Sequence, residues 1–319
     1  MGSDVIVIGG GGAGLMAAIA AADAGARVLQ LEKADELGGT FLISQGTSAG
    51  TQTKIQFENG ILDDSPQAFY RDCMKEQRAR EVCDPEGLMF YCRNSGFAVD
   101  WLDSLGAYPV DRRHCEPTIY GEDWACGRVY RVDWALSYLR VILAEHQKRV
   151  ARGDIEVRLN TVVNELIQED GAVTGVIVDG QEIRASAVVT CTGGYSANPD
   201  MVREHKFPGA RTIVTAGSPL ATGDGLEMCR RAGARLVNLG QEMLPYMGNV
   251  ADPANPIQAI TYVDMNHPAV IWVDLNGKRV IAEDSNIYLP PARIAMMRRR
   301  RWYWRRYSTP VAVTLSAAF

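Results

Sequence analysis

The chain has 319 residues, 47% of them hydrophobic and 22% charged, with a formal net charge of −5, which is enough for one large or two ordinary domains with a real core. No run approaches the roughly 20 apolar residues of a membrane helix, so no membrane span is expected, and the N-terminus enters a strand without the charged region or cleavage site of a secretion signal. Seven cysteines stand singly at 73, 83, 92, 115, 126, 191 and 229, with no C-x-x-C, and the four histidines (114, 146, 205, 267) are far apart; this argues against a zinc ribbon, a thioredoxin-type pair or a c-type haem, offers no metal site, and reads as reduced thiols in a cytoplasmic protein.

The charge is unevenly placed. Residues 291–319 hold seven arginines and no Asp, Glu or Lys, and taking them from the 33 basic residues leaves 26 against 38 acidic ones. A body with a net charge of −12 disfavours nucleic acid as a partner.

Residues 4–33, DVIVIGGGGAGLMAAIAAADAGARVLQLEK, predict a strand, a helix and a second strand. Val5 to Ile8 suit a strand buried on both faces. Gly9, Gly11 and Gly14 then give G-x-G-x-x-G at the strand-to-helix turn. Gly9 permits the tight turn, Gly11 lets the backbone approach a pyrophosphate, and Gly14 allows close helix–strand packing. The helix start, with Gly12 and Ala13, offers free N–H groups and positive partial charge to an anion. Glu32, about twenty residues on, can accept ribose hydroxyls. No Lys-Ser/Thr follows the glycines, so a Walker loop is excluded. The fingerprint alone does not separate NAD from FAD.

Leu37-Gly38-Gly39-Thr40 and Ser44-Gln45-Gly46-Thr47-Ser48-Ala49-Gly50-Thr51 form a long small-residue loop, where backbone must turn sharply or approach something closely. A flexible surface loop is the plain alternative. Ser65-Pro66 predicts an N-cap and first residue for a helix over 65–77. Two more helices are expected, over 85–96 and 97–105, and 108–124 reads as an irregular connection. A helix over 133–152 offers Trp134, Leu136, Leu139, Ile142 and Leu143 to one face. Residues 154–183 alternate like strands, with turns at Gly171 and at Asp179-Gly180, a type I′ signal. Residues 185–192 predict a buried strand broken by Gly193-Gly194, a second edge of the same site. Thr222-Gly223-Asp224-Gly225 opens a helix that Thr222 can cap, its glycines keeping backbone donors open. From about residue 239 the pattern turns loop-rich, with a hairpin over 269–281 at Asn276-Gly277, the start of a second domain.

These motifs, in this order, resemble the flavoprotein family of fumarate reductase and succinate dehydrogenase subunits, which includes 3-ketosteroid dehydrogenases. The resemblance covers residues 4 to about 288: the fingerprint, Gly38-Gly39-Thr40 with 44–51, Trp101-Leu102-Asp103-Ser104-Leu105-Gly106-Ala107, Thr192-Gly193-Gly194-Tyr195 with Asn198, Thr222 to Gly225, and Gly277-Lys278-Arg279 with Glu283. It implies an α/β fold: an incomplete Rossmann-like FAD-binding domain with glutathione-reductase-like ββα layers (1–238) and the start of a smaller α+β capping domain (239–290); where the resemblance ends, an aberrant basic tail (291–319) follows. The resemblance also implies FAD. Gly9, Gly11 and Gly14, with Gly12 and Ala13, would hold the pyrophosphate, and Glu32 and Lys33 would meet the adenosine ribose. Gly38, Gly39, Thr40, Ser44 and Gly46 would line the flavin side. Val163 would contact adenine through its backbone, while Thr192, Gly193, Gly194 and Asp224 complete the pocket. The flavin-linking His of membrane-bound relatives has no counterpart between Gly39 and Gly50, so binding is expected to be non-covalent.

The resemblance also has departures. Soluble fumarate reductases carry His-Pro-Thr and Thr-Glu-x-x-Arg where this chain has Leu244-Pro245-Tyr246 and Tyr262-Val263-Asp264-Met265-Asn266, and Ile287 occupies the place of the proton-donating Arg. The family continues for well over a hundred further residues, so a C-terminally truncated chain is expected, with a shifted reading frame as the source of the basic tail and residues after about 290 unpacked. The expected function is an FAD-dependent oxidoreductase exchanging hydride with a C–C bond next to an activating carbonyl, with fumarate itself unexpected. Its partners would be a small-molecule substrate and an electron donor or acceptor. Tyr262, His267, Arg279 and Tyr288 could reach a substrate, but no catalytic residue is assigned. Two alternatives stay open: an FAD-binding fragment without turnover, and a basic-tailed protein that engages anionic membrane or nucleic acid.

Overall fold

Strand β1 (Val5–Ile8) is apolar throughout because both of its faces are covered, and Ile6, Val7 and Ile8 are buried. The computed structural model describes residues 2–44, 46–75, 83–109, 113–116, 124–132, 136–205, 217–239, 270–271 and 313–314. Helix α1 (Gly12–Asp23) follows and leads into β2 (Val28–Leu31). With β5 (Ile155–Arg158) and β9 (Ala187–Thr190) these strands make a parallel sheet in the order β5-β2-β1-β9. In its register Val5 lies opposite Val28 on one side and Ala187 on the other.

The period-2 alternation of β1 divides its side chains between two layers. Val7 joins Val28, Ile155 and the α1 residues Ala18 and Ala22 on one face. Ile6 and Ile8, with Leu29 and Leu31, meet Val163, Val176 and Met228 on the other. That second face is covered by an antiparallel meander of β6 (Val163–Glu169), β7 (Ala172–Val178) and β8 (Gln181–Arg184). Its two turns carry positive φ at both central residues, Asp170/Gly171 and Asp179/Gly180, as type I′ turns require. Meander, parallel sheet and helices are the expected ββα layers.

Beside them lies a helical lobe with β3 (Thr47–Ala49) paired antiparallel to β4 (Val129–Arg131), and helices α2 (Lys54–Glu58), α3 (Pro66–Cys73) and α4 (Pro85–Ser104). Ser65 caps α3 through Ala68 N at 3.2 Å, with Pro66 as the first helical residue, as expected. The two helices predicted on either side of Gly96 are one, α4. Gly96 is small for a lateral reason: a Cβ there would lie 2.2 Å from the Thr51 carbonyl oxygen that crosses the helix. β3, β4 and α2 had no strong period to reveal them, although Thr53-x-x-Gln56 forms a complete capping box.

Helix α5 (Leu136–Arg152) packs on α1 through Tyr138, Leu139 and Ile142. Leu136, expected on that face, is exposed in the first turn, so the packed stripe begins one turn later. β9 is also not the buried strand expected. Among the described residues it pairs with β1 alone, Ala187, Val189 and Thr190 are exposed, and Val188 packs toward the meander. The remaining elements are a 3-10 turn (Gly39–Ile43), α6 (Pro199–His205), α7 (Asp224–Arg231), and β10 (Val270–Ile271) paired antiparallel with β11 (Val313–Thr314). The tail, expected to be unpacked, thus contributes one strand pairing; its arginines, Trp134 and the rest of the 269–281 hairpin lie outside the described residues.

Candidate functional site

The expected site residues gather beyond the carboxyl ends of β1, β2 and β9, which lie on one side of the sheet because the strands are parallel. At β1 three backbones interlock. Gly9 has φ +109 and a Cβ there would lie 2.4 Å from the Cys191 carbonyl oxygen, while a Cβ at Gly14 would lie 2.0 Å from the Gly9 carbonyl oxygen. Both glycines are required by the protein itself. Gly11 is different: its φ of −73 suits any residue, and the nearest atom to a Cβ there is the Gly38 oxygen at 4.0 Å. Among the described residues nothing fills the space beside Gly11. No side chain caps α1, whose first backbone hydrogen bond runs from Leu15 N to Gly11 O, so the leading N–H groups and the positive helix end face that space.

The stretch expected as a long small-residue loop instead holds a 3-10 turn (Gly39–Ile43) and β3 (Thr47–Ala49), and its start crosses the glycine turn. Gly38 N donates to Gly10 O at 2.8 Å, and a Cβ at Gly39 (φ +52) would come within 3.1 Å of the Gly11 Cα. Thr40 is exposed and Ser44 half-buried, while Gly46 is buried, with its carbonyl accepting from Val132 N at 3.0 Å. Phe41 lies over Gly12, where a Cβ would strike its ring at 2.5 Å.

At the end of β2, the Glu32 carboxylate accepts from Gly10 N and, at 2.8 Å, from Ala34 N. Each oxygen keeps a lone pair for a hydroxyl donor, so Glu32 braces the turn as well as facing the site. Lys33 Nζ donates to Thr222 Oγ1 and Asp224 Oδ2, both at 2.7 Å, and Thr222 Oγ1 donates to Asp224 Oδ1 at 2.8 Å. Burial alone raises the Asp224 carboxyl, but the bonds from Lys33 and Thr222 outweigh it and hold its pKa below the ordinary value. Thr222 is therefore not the expected cap. Gly223, at φ +83, is the N-cap of α7 without a side-chain bond, and Gly225 is small because a Cβ would lie 1.8 Å from Thr192 Oγ1.

Gly194 O accepts from Gly223 N at 3.1 Å, and Gly193 has φ +76. This joins the 192–194 break to Asp224. Val163, buried at the start of β6, lines a cleft of about 580 Å³ with Asn164, Asn198, Thr222 and Asp224. Tyr262, His267, Arg279, Tyr288, Ile287 and the segments at 244–246 and 262–266 lie outside the described residues. Among the described residues, no group of three or more His, Cys, Asp or Glu could hold a metal, and no helix is long and apolar enough to cross a membrane.

A family profile described as an FAD binding domain matches residues 4–295. The chain belongs to that family. This FAD-binding domain is 29% identical over 242 residues to the fumarate reductase (cytochrome) of Shewanella frigidimarina, covering 74% of this chain and 41% of that protein. It is 31% identical over 243 residues to the NADH:fumarate oxidoreductase of Klebsiella pneumoniae (75% and 25%), and 29% identical over 293 residues to the vinyl phenol reductase of Lactiplantibacillus plantarum (88% and 56%). Among solved structures, the open conformation of a flavocytochrome c3 fumarate reductase superposes with a TM-score of 0.75 at 28% identity, covering 92% of this chain and 50% of that one. The 3-ketosteroid-Δ4-(5α)-dehydrogenase from Rhodococcus jostii shares the fold, with a TM-score of 0.69 at 23% identity over 92% of this chain and 63% of that one. The chain thus spans between a quarter and just over half the length of these curated relatives.

The FAD-binding domain's residues fit its cofactor. The open volume at Gly11, the uncapped start of α1 and the loop over it suit a pyrophosphate. The Glu32, Lys33 and Asp224 side chains lie to the β2 and α7 side. Gln30, a lone amide in buried strand β2, carries no signal in the sequence. Its Nε2 donates to Gly9 O at 3.1 Å, which leaves Oε1 to accept from buried His146 Nε2 at 2.7 Å and assigns the ring's proton to that nitrogen. Burial, with Arg149 nearby, lowers the His146 pKa, so the relay carries a neutral imidazole.

Proposed function

We propose that this domain binds FAD non-covalently and serves an oxidoreductase that acts on a C–C bond beside an activating carbonyl. The observation that supports it best is Gly11, the one fingerprint glycine whose smallness no contact within the described chain explains. Bound FAD supplies the hydride-exchange chemistry at its N5 atom. The chain's own groups bind and orient: the first N–H groups of α1 and the backbone at Gly11 hold the pyrophosphate, Glu32, Lys33 and Asp224 hold the adenosine end, and Gly39, Thr40, Ser44 and Gly46 line the path toward the flavin. Gly193 and Gly194 form the opposite wall.

Relatives named fumarate, vinyl phenol and urocanate reductases support an activated double bond as the substrate class. Leu244-Pro245-Tyr246 and Ile287, standing where fumarate reductases carry their clamp and proton donor, favour a substrate other than fumarate. Purified protein should absorb like a flavin and release the chromophore intact on denaturation in acid. With reduced viologen as donor, urocanate, whose double bond lies beside a carboxylate, should be turned over faster than fumarate. A colourless protein that binds NAD instead would overturn the cofactor reading, and fumarate as the best acceptor would overturn the substrate reading.

A further inference from the structure

Arg128 is fully buried outside the glycine cradle. Its fork is paired with Asp64, Nε to Oδ2 at 2.7 Å and Nη2 to Oδ1 at 2.6 Å, and Nη1 reaches Asp72 Oδ2 at 2.5 Å. Phe69 and Trp124 flank the guanidinium at 5.2 and 5.9 Å. Burial opposes the charge, but the two carboxylates prevail and raise the Arg128 pKa. No substrate can reach this group. Pairs of this kind add little net stability compared with apolar packing, so their use lies in what they align.

What Arg128 aligns is the far end of the flavin-side loop. Asp64 Oδ2 also accepts from Thr51 Oγ1 at 2.6 Å and from Gln56 Nε2 at 2.8 Å, and Gln56 Nε2 donates in turn to Gly127 O at 2.8 Å. Gly50 N donates to Arg128 O at 3.0 Å, and Tyr130 OH bonds Thr53 Oγ1 at 2.7 Å and donates to Gly50 O at 3.2 Å. Thr51 is wedged against Gly96 of α4. The near end of the loop is fixed independently by Gly38 and Gly39 against Gly10 and Gly11. Between the two anchors run Thr40, Ser44, Gly46 and Ser48, the last held by the Tyr108 and Tyr138 hydroxyls at 2.9 and 3.2 Å.

We infer that the Arg128–Asp64–Asp72 hub is a positioning element. It pre-forms the 46–51 stretch, which contains β3, for the flavin half of FAD and has no part in holding the adenosine half. The inference rests on the FAD site proposed above. A loop ordered in advance raises affinity because binding no longer has to order it. The hub therefore acts on ligands that reach the flavin side and is indifferent to those that stop at the pyrophosphate.

The test compares FAD with ADP, which presents only adenosine and pyrophosphate, on wild type, Arg128→Met and Thr51→Val. Thr51→Val removes a single hub hydrogen bond with nearly the same shape. Arg128→Met should weaken FAD by about tenfold or more and ADP by less than about twofold, with Thr51→Val shifting the FAD-to-ADP ratio in the same direction by a smaller factor. Equal weakening of both ligands, or an unchanged ratio, overturns the inference while leaving the FAD site intact. If Arg128→Met does not fold, Thr51→Val decides: an unchanged ratio there overturns it. Failure of the wild type to bind FAD at all overturns the site, and the inference with it.

Discussion

Gly11 and Gly14 belong to one fingerprint, yet substituting each with alanine should damage different properties. At Gly14 the new Cβ would sit 2.0 Å from the Gly9 carbonyl oxygen, 1.0 Å inside the 3.0 Å that real Cβ atoms keep, and the obstacle is backbone at a turn itself packed on Cys191. Neither partner is a flexible side-chain tip, so α1 must shift from β1. Overpacking of this sort costs about 1–3 kcal/mol, or roughly 2–5 °C in melting temperature for a domain of this size. At Gly11 the Cβ meets only the Gly38 oxygen, at 4.0 Å, and the backbone conformation is ordinary. Alanine at this N-cap should cost about 0.5–1 kcal/mol of stability, while its methyl group occupies the approach to the helix N-terminus. FAD affinity should fall by at least about tenfold, some 1.4 kcal/mol. Thermal melts of the apoprotein and titration of FAD by fluorescence quenching separate the two effects. A Gly11→Ala protein that melts as low as Gly14→Ala and binds FAD like wild type would refute the reasoning.

Lys33→Met should leave the melting temperature nearly unchanged, because the Lys33–Asp224 pair is partly exposed, with side-chain exposures of 24% and 45%, and such pairs are worth at most about 1 kcal/mol. It should weaken FAD and ADP by similar factors in a competition assay, and loss of FAD binding alone would contradict an adenosine-end role. His146 has a folded-state pKa below the ordinary 6.5 because burial and Arg149 favour its neutral form. Its contribution to stability is therefore complete above pH 6.5 and is lost as pH falls below that value. Urea midpoints of wild type should drop more steeply below pH 6.5 than those of His146→Gln, and parallel curves would refute the lowered His146 pKa. Burial, with Cys92 adding to it, pushes the Cys73 thiol up to about 12, and Cys92 is fully buried with its pKa also raised. Both should resist iodoacetamide in the native protein at neutral pH, so rapid labelling of either one, read by peptide mass mapping, contradicts that burial.

The sequence by itself determined the features whose cause lies within a few residues. Gly9 needs a positive φ and Gly14 must clear the strand just before it, so their spacing is written in one turn. Asp179-Gly180 and Ser65-Pro66 likewise carry their own backbone requirements. Tertiary structure decided wherever the partner is remote. Gly96 marks the crossing of Thr51 and not a helix end, and Gly225 makes room for Thr192. Thr222 turns away from capping because Lys33, 189 residues earlier in the chain, comes within 2.7 Å of its hydroxyl. Gln30 reaches His146 across 116 positions, and Arg128 becomes a buried hub only when Asp64 and Asp72 are folded against it. Periodicity records which face of an element is buried. It carries no record of which distant group will face it, because that pairing is set by packing, and these remote pairs fasten the locally encoded cradle in place.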